Sequence, residues 1–558
     1  MRNTVKNQIL EIFRTLYEAH QEIENYYNQK NINNAISLLS DCNDVAVQIG
    51  NTIEETEKTK TKANELLENY CDEIYYASVC IRNNSFDDIK KKLNESLVLA
   101  YDSINNDIPI INKALMVAYY YPPLAGSGVY RSIKFTKYLS LYNWNATVIS
   151  TDKPPAGWNF SDKSLENEIP FDINVIRIPD KVSQGETFGF DHTTVNNLKV
   201  FLRDVLCNDK ETTALVDKIS KSQDGLRFLL TFPDNTLLWS YEVVRYIECE
   251  LSINDYDIIY TTAGPYCSHI IGAYIKNKYG IPWIADYRDQ WSANPLIENK
   301  NNAGYKLLLQ LEKNLLGIAT HNITVSPTAQ KDYIDRLQVP KERISVITNG
   351  YDEADFKDIA CPVVKNEKFT LTYSGLLYMQ ARSLSPVTAA LSELCNENLI
   401  DRDKVCIQVI GSMNKMNEDI ISSSGFADNF VFRGYLPHCE TLRYNVNSDI
   451  LLLIIGETAE LKSSISGKIF DYLRSGRPIL ALVPIDSDAE KIIQQTDRGH
   501  ALHFNEVAKI KSFILEEYRK WEENDISFNY NPEKIEKYER KVLTKKLAEI
   551  FNKNMLLR

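Results

Sequence analysis

The sequence predicts an α/β protein with two Rossmann-like, doubly wound domains behind an all-α helical domain. Three observations carry that expectation. Residues 1–112 contain one glycine, Gly50, and one proline, Pro109, and repeat apolar residues every three or four positions. From residue 113 onward, short β-branched runs alternate with helical stretches. After a polar break at about 348–368 the same alternation starts again.

In the front segment the apolar positions are Ile9, Phe13 and Leu16; Ile36, Leu39, Val45 and Ile49; Leu66, Leu67, Tyr70 and Ile74; and Ile89, Leu93, Leu97, Ala100 and Ile104. This is the helical period, interrupted by polar connectors at NQKN, TKTK and RNNSF, and it predicts four helices in a bundle or in bent hairpins. The segment has 11 Lys/Arg against 18 Asp/Glu, so it holds 7 of the 12 net negative charges. It shows no catalytic constellation. A scaffold or interaction module, acting in self-association or partner docking, is expected there.

Residues 113–347 supply the runs ALMVAYY, NATVIS, INVIRIP, YDIIYTT, IPWIADY, HNITVS and RISVIT. Residues 348–525 supply FTLTYSG, KVCIQVIG, NFVFRGYL, DILLLII, PILALVP and GHALHF. Strands of four to seven apolar residues separated by helices mark parallel sheets covered on both faces. Two such sheets in succession predict a cleft, with ligands beyond the carboxyl ends of the strands. Residues 526–558 read as a charged amphipathic helix.

Bulk properties exclude several classes. A net charge of -12 argues against a nucleic-acid binder that works through bulk electrostatics. No stretch approaches the roughly 20 apolar residues of a membrane span. The ten cysteines show no C-x-x-C and no zinc-ligand spacing, as expected of free thiols in a reducing cytoplasm. Within YYYPPLAGSGVYR, residues 119–131, a small-residue turn leads from a strand into a helix. Such a turn is either an anion site, because helix N-terminal N–H groups point outward, or a plain tight connection.

Six stretches together carry a resemblance. PPLAGSGVYR, WIADYRDQW, ITVSPTAQKDYIDRLQVPKERISVITNGYDEADF, TYSGLLY, NFVFRGYLPHCETLRYNVNSDILLLI and SGKIFDYLRSGRPILAL occur in this order. From about residue 113 to 558 the chain resembles the GT-B glycosyltransferases, specifically the family 4-like enzymes of bacterial surface polysaccharide synthesis. The helical front domain lies outside the resemblance.

The resemblance implies a set of donor contacts. Gly126, Ser127 and Gly128 correspond to the loop under the donor diphosphate and sugar. Arg131 at the helix start is expected either to pair with phosphate or an acidic acceptor, or to form a surface salt bridge. Arg288 and Asp289 replace the His-Asp of many relatives: Arg288 is too basic to act as a general base but can stabilise charge. Asp289 or Asp286 is expected to hydrogen-bond sugar hydroxyls or orient the acceptor, the alternative being a buried Asp–Arg pair that braces the loop. Gly467 and Lys468 open a helix that meets the diphosphate, and Asp471, one turn on, would hold the ribose. Ser463 stands where relatives often carry a first acid, with Glu460 a possible substitute. Arg433, Gly434 and Tyr435 stand where relatives hold the base. Gly375 begins the second domain's first loop. There Leu376 replaces the usual arginine, and Arg382 sits one residue from the usual lysine.

The expected activity is therefore that of a retaining glycosyltransferase. It would use a nucleotide-diphosphate sugar, UDP- or GDP-linked, with no metal and no other cofactor. The expected acceptor is a glycan, a lipid-linked saccharide or a protein, reached in the cytoplasm or at the inner face of a membrane. Two alternatives remain: an inactive GT-B scaffold, suggested by Ser463 and Leu376, and a nucleotide-sugar epimerase. The latter needs two cleft acids that the sequence does not clearly supply.

Overall fold

The computed structural model describes residues 2–57, 62–83, 85–107, 112–155, 161–181, 214, 232–294, 297, 302–359, 365–377, 382–525 and 531–555. The front segment forms α1 (Arg2–Asn28), α2 (Ile32–Glu57), α3 (Lys62–Arg82) and α4 (Asp87–Asp107). The helices break at NQKN and RNNSF, most of the TKTK connector lies outside the described residues, and Phe13, Ile23, Leu39, Tyr70, Leu93 and Leu97 fill the space between the helices. His20 is buried among these residues and bridges the Asn94 side chain and the Tyr70 hydroxyl at 2.6 Å each. This domain docks on the next through Phe171, whose ring lies 4.6 Å from Tyr101 and 5.2 Å from Tyr17.

Each expected strand is present. The first sheet comprises β1 (Asn112–Val117), β2 (Trp144–Thr151), β3 (Asn174–Ile178), β4 (Ile258–Thr262), β5 (Trp283–Tyr287), β6 (His321–Thr324) and β7 (Ile344–Val346), in the order β3-β2-β1-β4-β5-β6-β7. The second comprises β8 (Phe369–Ser374), β9 (Val405–Ile410), β10 (Phe430–Gly434), β11 (Ile450–Ile454), β12 (Ile479–Leu482) and β13 (Gly499–Leu502), in the order β10-β9-β8-β11-β12-β13. All the pairings are parallel. Successive strand residues point to opposite faces, and both faces are covered. In β1, Leu115 and Val117 join the core on one face, while Ala114 and Met116 join the core on the other. That double burial is why the strands read as continuous apolar runs.

Each sheet reverses its strand order once, between β1 and β4 and between β8 and β11, and both reversals open onto the cleft. Helix α5 (Ser127–Leu139) follows β1 and borders the cleft. The last helix, Arg540–Met555, returns to the first sheet, where Leu543, Leu547 and Phe551 pack with Met116, Ile258 and Tyr260. The Phe551 ring lies 5.0 Å from Trp144, whose indole N–H donates to Asn552 Oδ1 at 2.9 Å. Phe551→Ala is expected to destabilise the protein by about 3–5 kcal/mol, the usual cost of emptying a buried aromatic site. Urea denaturation would show this as a lower midpoint, and an unchanged midpoint would refute the anchoring role.

Candidate functional site

At each strand-order reversal a cation lies against a glycine. In the first domain Gly126, with φ of +132°, caps α5, and Ser127 is the helix's first residue. A Cβ on Gly128 would fall 1.7 Å from Nη1 of Arg288, so only glycine lets the guanidinium lie against this backbone. Arg288 donates through Nε to the Ala263 carbonyl and through Nη2 to that of Gly264 at 2.9 Å. It thereby ties the glycine loop to the ends of β4 and β5. Asp289 beside it is exposed.

In the second domain Gly375 has φ of +119°, and a Cβ there would fall 2.6 Å from Lys468 Nζ. Lys468 begins the helix Lys468–Ser475, capped by Gly467. Its ammonium is buried, lies 3.8 Å from the centroid of the Tyr373 ring and has no hydrogen-bond acceptor among the described residues. Burial first, and the nearby Arg382 guanidinium second, push its pKa well below the ordinary lysine value. Arg382 Nη1 donates to the Leu376 carbonyl at 3.1 Å, closing the same loop. A buried ammonium next to a second cation is costly unless an anion joins it.

Asp471 lies one turn along, on the cleft side. Its Oδ2 is 3.2 Å from His438 Nε2, while His438 Nδ1 is 3.6 Å from Asp355 Oδ2. The imidazole packs 4.6 Å from the Tyr130 ring of the glycine-loop helix. Its backbone N–H donates to Asp162 of the first domain at 3.3 Å. Burial alone would lower the His438 pKa, but the Asp471 and Asp355 carboxylates outweigh it and raise it to about 9. Ser463 donates across the cleft to Gln290 Oε1 at 2.7 Å. Gly434, at φ of +67°, and Tyr435 are exposed at the end of β10. The exposed Arg433 beside them bonds Gln408 at 3.2 Å and lies over the Tyr444 ring.

Residues 204–355 match the family model for glycosyltransferase family 4. That match spans 152 of the 558 residues, and the two parallel sheets have the GT-B fold. The sucrose-phosphate synthase of Thermosynechococcus elongatus superposes with a TM-score of 0.52 at 10% identity, covering 80% of this chain and 100% of that one. A glycosyltransferase from Rickettsia africae gives 0.50 at 12% identity, covering 80% and 98%. S. aureus TarM, solved with fondaparinux, alpha-GlcNAc-glycerol and UDP, gives 0.50 at 10% identity, covering 79% and 100%. No curated protein sequence matches the chain.

The GT-B frame clarifies one expectation that fails. Arg131 is neither an anion ligand nor part of a surface salt bridge. It is fully buried and grips both Asp286 oxygens at 2.6 and 2.9 Å, and it donates to the Ile347 and Thr348 carbonyls at 2.9 Å each. Asp286 also accepts from the Tyr260 hydroxyl at 2.5 Å, so both of its oxygens are engaged inside the domain and it is not available to sugar. The buried Asp–Arg brace exists, but it is formed by residues 155 positions apart. Asp286→Asn is expected to cost about 3–5 kcal/mol of unfolding free energy, because it leaves Arg131 buried without its counter-charge. Chemical denaturation measures this directly.

The sequence reading missed the interdomain partners: His438, Asp162, Asp355 and Gln290. It also missed Lys134, whose ammonium sits among Glu168, Asp352 at 2.8 Å and Asp355 at 2.5 Å. Those three acids converge as a metal site would, but Lys134 occupies the position a cation would take. The histidine in RGYLPH was the available signal, four residues past the end of β10 and directly after Pro437. Because its folded pKa is raised, His438 contributes stability that is complete below about 6.5 and is lost as pH rises through about 9. The stability difference between the parent protein and His438→Asn should therefore shrink across that window in urea titrations. A difference independent of pH would mean that the imidazole is neutral in the fold.

Proposed function

We propose that the protein is a retaining glycosyltransferase that moves a sugar from a nucleotide-diphosphate donor to a glycan, lipid-linked or protein acceptor, in surface polysaccharide or glycoconjugate synthesis. One observation carries this reading: the Lys468 ammonium is buried at a helix start, beside Gly375 and Arg382, without an acceptor among the described residues. A diphosphate seated there would supply the missing counter-charge and would also meet the N-terminal N–H groups of the helix. Asp471 would bind the ribose hydroxyls, keeping its contact to His438 as an orienting bond. Gly434 and Tyr435 would border the base, and the Gly126–Gly128 loop the sugar. Because TarM was solved with UDP, UDP-sugars are the first donors to test.

In the proposed reaction the bond from the sugar anomeric carbon to the phosphate oxygen breaks as the acceptor oxygen bonds to the same face. The acceptor proton passes to the departing phosphate. Charge develops on the diphosphate, so Lys468 gains most in the transition state, and Arg382 adds to the field. Arg288 and Asp289 lie across the cleft, where the acceptor would approach.

Lys468→Ala is expected to raise the barrier by about 2–4 kcal/mol, acting mainly on kcat, as loss of one preorganised charge donor does. Asp471→Asn should act mainly on donor affinity, because the ribose is remote from the reacting bond. Nucleotide release from UDP- and GDP-sugars, followed with and without acceptor saccharide, measures both. Near-parental turnover in Lys468→Ala would end the assignment, and donor binding with no release under any condition would favour an inactive scaffold.

A further inference from the structure

At the opposite edge of the first domain, beneath the amino ends of β5, β6 and β7, lies a second cavity of about 570 Å³. Three cations from three separate elements line it. Lys276 comes from the last turn of the helix Cys267–Tyr279, Arg343 immediately precedes β7, and Lys553 lies near the end of the closing helix. None of the three forms an ion pair with a described residue. In a chain of net charge -12, where carboxylates outnumber cations, that is an unusual surplus.

Neutral contacts occupy only part of their donor capacity. Lys276 Nζ donates to the Thr320 hydroxyl at 2.8 Å, and Arg343 Nη2 donates to the Gly317 carbonyl at 2.8 Å and to that of Ala319. Among the described residues Glu342 is the one carboxylate lining the cavity, and three helices end there, Cys267–Tyr279, Ala303–Ile318 and Arg540–Met555, with about half a negative charge each. These offset part of the positive charge but not all of it. The titrating groups register the remainder. Burial first, then Arg343, lowers Lys276 to about 8, and burial, then Lys553 and Arg343, lowers His321 to about 4.

We infer that this cavity binds a phosphate-bearing ligand, either a soluble phosphorylated compound or a phospholipid head group. Two ammonium groups and a guanidinium offer point charges and a planar donor fork, the combination suited to an anion with several oxygens. The volume falls within the range of small-molecule sites and exceeds what a bare ion needs. Because Lys553 sits on the closing helix, Lys276 on the helix Cys267–Tyr279 and Arg343 at the start of β7, an occupant would also cross-link the closing helix to the domain. The cleft plays no part in this site, and the inference stands whether or not the transferase assignment holds.

The test uses the full chain carrying Lys468→Met, so that the cleft ammonium does not contribute, with inorganic pyrophosphate as probe at low ionic strength. Calorimetric titration is expected to detect binding that weakens by about tenfold or more when Lys276→Met and Lys553→Met are added. Lys553→Glu, at an exposed position, serves as a second variant should the pair fold poorly, and it should weaken binding in the same direction. A sedimentation arm compares phosphatidylglycerol with phosphatidylcholine vesicles. Capture by phosphatidylglycerol that Lys553→Glu abolishes assigns the site to a head group. Pyrophosphate binding without vesicle capture assigns it to a soluble phosphate compound. No measurable binding, or pyrophosphate affinity and vesicle capture that are both indifferent to these substitutions, overturns the inference.

Discussion

The buried pair of Arg131 and Asp286 is the constraint around which the rest of the molecule is arranged. Taking two charges out of water costs several kcal/mol per ion and is tolerable only when their hydrogen-bonding groups are satisfied. Here the guanidinium reaches both carboxylate oxygens and two backbone carbonyls, and Tyr260 completes the carboxylate. Those carbonyls belong to Ile347 and Thr348, where the chain leaves the first domain. One turn further along α5, Lys134 holds Asp352 and Asp355, and Tyr138 bonds Asp352 at 2.5 Å. A single helix face thus sets the glycine loop at one end and the interdomain linker along its length.

The two domains repeat one motif with different outcomes. In each, a cation rests on a glycine where the strand order reverses, and in each a side chain on that glycine would collide with the cation. Arg288 is satisfied by carbonyls of its own domain, so its placement is structurally complete. Lys468 has an aromatic face beneath it and no acceptor among the described residues. Of these two cation–glycine contacts, the one in the second domain is the one whose buried charge lacks a partner among the described residues.

Much of this architecture was legible because it is local. Doubly covered parallel strands must be apolar on both faces, so runs such as ILLLI and ILAL announce themselves. The front helices show their period and their polar breaks. Gly467, Lys468 and Asp471 were legible as a helix start because three neighbouring residues carry the pattern. What could not be read was partnership across distance. An arginine at a helix mouth looks the same whether it faces solvent or a carboxylate 155 residues away. The bonds of His438 to Asp471 and Asp355, and of Ser463 to Gln290, join segments with no shared local signature. Ser463 looked like a missing acid in the sequence, whereas in the fold its hydroxyl reaches across the cleft.

The grip of α5 on the linker also defines where the protein is modular. Residues 347–355 are covalently ahead of the second sheet, yet Ile347, Thr348, Asp352 and Asp355 are gripped by α5, while Tyr351 packs into the second domain's core. A recombinant exchange of the second sheet's half between related chains, cut at the end of β7, would separate Lys134 from Asp352 and Asp355 and leave a buried ammonium facing foreign residues. A cut placed after residue 359 would carry the acids along with the helix that neutralises them. Natural shuffling of the two halves faces the same restriction, so α5 and the linker would be inherited together as one cassette.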